Sequence, residues 1–262
     1  MRLPGVEARD STIRGTEAEI PIRIYAPAEG RVDCAIVYYH WGGFVAGSIE
    51  ESDGECRLLS AASGCSVVSV GYRLAPKHRF PAAVVDAFDA LRWASDNAGQ
   101  LGASRRKLVV AGVSAGGNLA AVAAVMARDA GIPLAYQVLL TPVLGFDPHS
   151  SSAREFGRSG DLTMDQIVDF TTKYLGDLGR ALDPRFSPIM AGDLRGVAPA
   201  IIVAAERDPL RDQALAYAEA LRRAGVPVIS ITVNGVGHAM DGASWEFVDL
   251  AVAYYLRSRL SG

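Results

Sequence analysis

The chain alternates short, uniformly apolar runs with longer stretches whose apolar residues recur at helical spacing. Residues 19–25 (EIPIRIY) alternate polar and apolar, which predicts a half-exposed strand. Residues 34–39 (CAIVYY), 66–70 (SVVSV) and 107–111 (KLVVA) are apolar on both parities and predict strands covered on both faces. Further strands are expected near 136–140, 200–205 and 227–232. Residues 82–97 place Val84, Val85, Phe88, Leu91 and Trp93 at helical spacing, and helices are also expected near 52–62, 114–129, 164–175, 210–223 and 243–259. Between 71 and 81, GYRLAPKHRFP holds two prolines and no period, so it reads as a loop. Buried strands alternating with amphipathic helices predict an α/β fold, a mostly parallel sheet with helices on both faces. The alternation breaks once, at about 143–190, where the chain turns polar and carries one helix; we expect an insertion over the sheet within a single domain, 1–262.

Composition narrows the function. Of 262 residues, 50% are hydrophobic and 21% charged, with a net charge of −3 and no basic block, so nothing points to nucleic acid or an anionic membrane. The three cysteines, Cys34, Cys56 and Cys65, show no CxxC or Cys/His spacing. Cys34 lies in an apolar strand and is expected to be a buried thiol, which suits a reducing compartment. The N-terminal stretch has no signal-peptide core, and no apolar run is long enough to span a bilayer, so a cytoplasmic location is expected. No metal cluster, phosphate loop or dinucleotide fingerprint is present, and no cofactor is expected.

The chemistry concentrates at Gly112-Val113-Ser114-Ala115-Gly116, between the strand KLVVA and an Ala-rich helix. Gly-x-Ser-x-Gly at a strand-to-helix turn is a nucleophile elbow: the turn leaves no room for flanking Cβ atoms, and its strain lifts the serine Oγ clear of the sheet. A serine hydroxyl needs a base. Of four histidines, His238 follows the last strand, where this topology places the base, whereas His149 falls in the insertion and His78 in the proline-rich loop. The base needs a carboxylate to hold its tautomer. Asp208, in the turn after 201–205, is the best candidate, with Glu206 and Asp212 as rivals; Asp212 suits the first turn of the next helix. An oxyanion hole needs unshielded backbone N–H groups. His40-Trp41-Gly42-Gly43, after an early strand, is placed to supply two, and Ala115 a third.

These segments, together with GYRLAPKHRFPAAVVDA, DPRFSPIMA and AERDPLRDQALAYAEAL, resemble the bacterial hormone-sensitive-lipase-like carboxylesterases of the α/β-hydrolase superfamily from about residue 12 onward. The resemblance implies hydrolysis of a small-molecule carboxylic ester by Ser114, His238 and Asp208, oxyanion donors at Gly42, Gly43 and Ala115, His40 as a structural residue of its loop, and a homodimer by analogy. An amidase or formamidase using the same triad, and a non-catalytic small-molecule receptor, are the alternatives. Three departures stand out. Trp41 replaces the first glycine of a His-Gly-Gly-Gly motif and is expected to keep ordinary φ/ψ and border the site. Val113 replaces an aspartate. About 18 residues precede the first expected strand, so a reduced cap and a preference for short acyl chains are expected. Trp41, Phe44, Phe146 and Met240 are the expected pocket residues. Arg73 and Asp86 are expected to pair as a buttress, and Asp161 and Asp165 to flank a helix cap at Thr163.

Overall fold

The computed structural model describes residues 5–261. An eight-stranded sheet in the order β1-β2-β4-β3-β5-β6-β7-β8 forms its centre. Its strands are β1 (Val6–Arg14), β2 (Glu19–Pro27), β3 (Ala35–Tyr39), β4 (Ser66–Val70), β5 (Leu108–Val113), β6 (Tyr136–Leu140), β7 (Ala200–Ala205) and β8 (Val228–Val233). The pairs β1–β2 and β2–β4 are antiparallel, and every later pair is parallel. The expected mostly parallel α/β sheet is therefore present. Strands β3, β4, β5 and β7 are buried along their whole length, which is why their sequences are apolar on both parities.

Helices α1 (Asp53–Ser63) and α7 (Gly242–Leu260) cover one face, and α2 (Ala82–Asp96), α3 (Ala115–Asp129) and α6 (Arg211–Arg223) the other. The chain leaves β3 through α1 toward β4 and leaves β5 through α3 toward β6, so adjacent strands β3 and β5 send their connections in opposite directions. Such a reversal opens a crevice beyond the carboxyl ends of the two strands. The loop 40–47 and Ser114 begin there.

Two elements differ from expectation. Strand β1 has no alternating pattern because it is an edge strand whose only buried residue is Ile13; pairing with β2 supplies what its sequence does not show. The stretch between β6 and β7 carries two α-helices, α4 (Ser151–Phe156) and α5 (Met164–Leu175), rather than one. Helix α4 is too short to display a period. Ser150 Oγ accepts from the Ala153 amide and Asp212 from the Ser152 amide, so caps rather than an apolar face hold it.

The cysteine reading is corrected. Cys34 and Cys65 are disulfide-bonded, and Cys56 is a buried free thiol. The two cysteines directly precede β3 and β4, and the register places Ala35 opposite Ser66, which brings the cysteine Cα atoms to 4.9 Å. With this bridge the argument for a reducing compartment loses its basis. Thiol titration in denaturant should find one reactive thiol per chain without reductant and three after reduction; three without reductant would refute the bridge. No helix among the described residues is long and apolar enough to cross a membrane.

Candidate active site

Ser114 sits between β5 and α3 with φ 55° and ψ −114°. A left-handed φ is costly for a residue with a Cβ, and close packing imposes it. A Cβ at Gly112 would meet the Gly116 backbone at 2.4 Å, and one at Gly116 would meet the Tyr39 carbonyl oxygen at 1.9 Å. The elbow thus presses against the end of β3. The Ser114 amide donates to the Leu140 carbonyl at 2.9 Å, anchoring the turn to β6 as well.

His238 lies between β8 and α7, and Asp208 between β7 and α6. His238 Nε2 is 3.0 Å from Ser114 Oγ, and His238 Nδ1 is 2.8 Å from Asp208 Oδ2. Asp208 is fully buried, and its Oδ1 accepts the Leu210 amide at 2.8 Å. The carboxylate calls for a proton on Nδ1, which leaves Nε2 free to accept from the serine hydroxyl. The rivals of Asp208 face elsewhere. Glu206 accepts the Gly235 amide at 2.6 Å, and Asp212 accepts the Ser152 amide at 2.8 Å. His149 is exposed, and His78 is a half-buried loop residue.

In the loop after β3, Gly42 has φ 120° and Gly43 φ 61°, and the Gly42 carbonyl accepts the amides of Val45 and Ala46. Trp41 is not among the positive-φ residues; Phe44 is, at φ 65°. The tryptophan therefore replaces a glycine without left-handed strain. His40 is 1% exposed, stacks on Tyr72 at 4.2 Å, and its Nδ1 is 2.7 Å from the Trp41 carbonyl. Burial holds its imidazole below the usual histidine range, so it acts as a neutral brace that donates to this carbonyl. Gly42, Gly43 and Ser114 line one cavity, and Ala115 is the first residue of α3, whose amide has no intrahelical acceptor.

The cavity measures about 890 Å³. Trp41 lines it and is 40% exposed, whereas Phe44 contributes only an edge, since it is 2% exposed and stacks on Tyr174 at 4.0 Å. Phe146 and Met240 do not line it. Phe146 packs against the cluster of Leu162, Ile167 and Leu210, and Met240 turns toward the core beneath α7. Instead, α5 supplies Ile167, Phe170 and Thr171, at positions i, i+3 and i+4 of one helix face, and α7 supplies Trp245. Among the described residues no group of His, Cys, Asp and Glu is placed to hold a metal ion.

Arg73 and Asp86 pair as expected, with Arg73 Nε and Nη2 donating at 2.8–3.0 Å to a carboxylate that is 1% exposed. Thr163 caps α5 in a capping box with Gln166. Asp161, which the sequence suggested only as a cap neighbour, crosses instead to the histidine loop. It accepts the His238 amide at 3.2 Å and the Ala239 amide at 2.5 Å. Trp245 Nε1 donates to the Ala239 carbonyl from the other side. Asp161→Ala should lower kcat by roughly tenfold with KM little changed, and Asp161→Asn, which keeps one acceptor, should lose less. Steady-state kinetics check this, and equal losses in the two variants would argue against amide acceptance.

A family model described as the α/β-hydrolase fold matches residues 36–241. An arylesterase from Saccharolobus solfataricus is 43% identical over 241 residues, covering 92% of this chain and 79% of its own. An ethyl acetate hydrolase from Pseudomonas putida is 39% identical, covering 84% of this chain and 70% of its own. The solved structure of a hyperthermophilic esterase from the archaeon Pyrobaculum calidifontis superposes with a TM-score of 0.93 at 42% identity, covering 99% of this chain and 88% of that one. On this evidence the chain belongs to the α/β-hydrolase fold family, among its hormone-sensitive-lipase-like carboxylic ester hydrolases.

Proposed function

We propose that this chain hydrolyses short-chain carboxylic esters through an acyl-enzyme on Ser114. The observation that carries the reading is the continuous contact from Ser114 Oγ through His238 to Asp208, at 3.0 and 2.8 Å. His238 Nε2 takes the hydroxyl proton as Oγ attacks the ester carbonyl, and buried Asp208 stabilises the imidazolium that forms. The amides of Gly42, Gly43 and Ala115 hold the tetrahedral oxyanion; one such donor is worth about 2.7–4 kcal/mol. Collapse of the intermediate expels the alcohol, protonated by His238, and water repeats the sequence to release the acid.

One observation favours short chains. The indole of Trp41 lines the cavity from the same loop that carries Gly42 and Gly43, where a smaller residue would leave room for further CH₂ groups at roughly 0.8 kcal/mol each. A relative named for ethyl acetate hydrolysis is consistent with this. A nitrophenyl ester series from acetate to dodecanoate, run on the native enzyme with Ser114→Ala as the blank, should give its highest kcat/KM at or below hexanoate. Trp41→Gly should move that maximum toward longer chains. A native maximum at decanoate or beyond overturns the chain-length reading.

A further inference from the structure

Three consecutive residues of the oxyanion loop, Gly42, Gly43 and Phe44, hold positive φ values of 120°, 61° and 65°. Such a run needs its surroundings to hold it, because glycine has little backbone preference of its own and the Cβ of Phe44 opposes a left-handed φ. Hydrogen bonds fix both flanks. The Gly42 carbonyl accepts the amides of Val45 and Ala46, and the Phe44 carbonyl accepts the Ala75 amide at 2.9 Å. Gly43 takes part in none of these bonds, and its place is set by packing. A Cβ built on Gly43 would meet Cδ2, Cγ and Cβ of Phe170 at 2.6, 2.8 and 3.2 Å. The Phe170 side chain therefore presses directly on the Gly43 backbone.

Phe170 does not act alone. One turn further along α5, Tyr174 stacks on Phe44 with ring centroids 4.0 Å apart, so residues i and i+4 of one helix face grip two successive loop residues. Tyr174 is fully buried, and its carbonyl accepts the Phe80 amide at 2.9 Å, which anchors the helix end. Phe170 packs in turn against Leu162, Ile167 and Leu210. The β6–β7 connection thus reaches both loops of the site: Asp161 takes the amides of the histidine loop, and α5 takes the oxyanion loop.

We propose that Phe170 is a positioning residue of the oxyanion hole, holding the Gly43 amide where negative charge develops on the substrate. The proposal rests on the ester-hydrolase reading above and adds a residue to its machinery. An oxyanion donor works only within hydrogen-bond reach of the oxyanion, and losing one costs about 10²–10³ in kcat. A Gly43 released from the ring samples other orientations and spends part of its time misdirected. Phe170 also lines the cavity, so its rival role is that of a wall. The two roles separate cleanly. A wall acts on binding of the substrate chain, whereas a positioning residue acts on the transition state.

The test compares Phe170→Ala with Phe170→Leu. Leucine keeps a Cβ, a Cγ and Cδ atoms, the kinds of atom that touch Gly43, and discards the rest of the ring. On p-nitrophenyl butyrate, Phe170→Ala should lower kcat roughly tenfold or more with KM within about threefold of native, and Phe170→Leu should recover most of the loss. Trifluoromethyl butyl ketone, whose adduct with Ser114 carries the same oxyanion, should bind Phe170→Ala more weakly by about the factor lost in kcat/KM. Equal losses in the two variants, a loss confined to KM, or unchanged ketone binding in Phe170→Ala would each overturn the proposal. Should the native enzyme cleave no ester, the ester-hydrolase reading fails instead, and hydrogen exchange decides the brace. The Val45 and Ala46 amides should then exchange roughly fivefold faster or more in Phe170→Ala than in native protein or Phe170→Leu. Equal exchange in all three shows that Phe170 does not hold the loop.

Discussion

Ser114→Ala should reduce kcat on a nitrophenyl acetate by at least ~10⁴-fold while leaving the thermal melt of the protein nearly unchanged. The substitution removes only Oγ, because an alanine occupies the strained backbone no worse than the serine does. His238→Ala should cost a similar factor, since the hydroxyl then faces no acceptor at 3.0 Å. The double variant should be little slower than either single one, because hydroxyl and imidazole act as one unit and their losses do not add. Asp208→Asn should also cost about 10⁴, by favouring the tautomer that turns a proton toward the serine. Additive losses, or a Ser114→Ala enzyme within tenfold of native, would place the nucleophile elsewhere.

Gly116→Ala should destabilise the protein by about 3 kcal/mol or more in urea unfolding. Its Cβ would stand 1.9 Å from the Tyr39 carbonyl oxygen and 2.6 Å from that of His40. Both neighbours are backbone, one at the end of a fully buried central strand and the other in the tightly braced loop that follows, so neither can swing aside as a side chain tip would. Any enzyme that does fold should lose activity as well, since relief of the clash displaces the loop carrying Gly42 and Gly43. Gly54→Ala serves as the control. It lies inside α1 with nothing within 4 Å of its Cβ, so it should be neutral or stabilise by up to ~1 kcal/mol. Equal effects at the two positions would show that contact with β3 does not govern the elbow.

Much of the site was legible because its signals are local. Ser114 is marked by glycines two positions before and after it, bounded by a strand and a helix. Asp208 and His238 each follow a strand end, and parallel strands deliver their carboxyl ends to one edge. The rivals Glu206 and Asp212 were separated by their contacts in three dimensions: Glu206 shares the turn of Asp208 and Asp212 opens α6, and each meets a different partner. The pocket was poorly legible for a related reason. An apolar residue in a loop at the carboxyl edge of the sheet can turn away from the cavity, as Phe146 and Met240 do, while Ile167 and Phe170 reach it from α5.

By itself the chain's pattern determined the alternation of strands and helices, the mostly parallel sheet and the elbow, because side-chain periods of two and 3.6 and the conformational demands of a tight turn act over a few residues. Tertiary structure decided the rest. Strand register brought together Cys34 and Cys65, 31 residues apart; packing of the β6–β7 connection set Asp161 on the amide of His238, 77 residues away; and the meeting of α1 and α7 enclosed Glu55 with Asp249. Such contacts exist only once the sheet has placed distant segments side by side, and no local period encodes them.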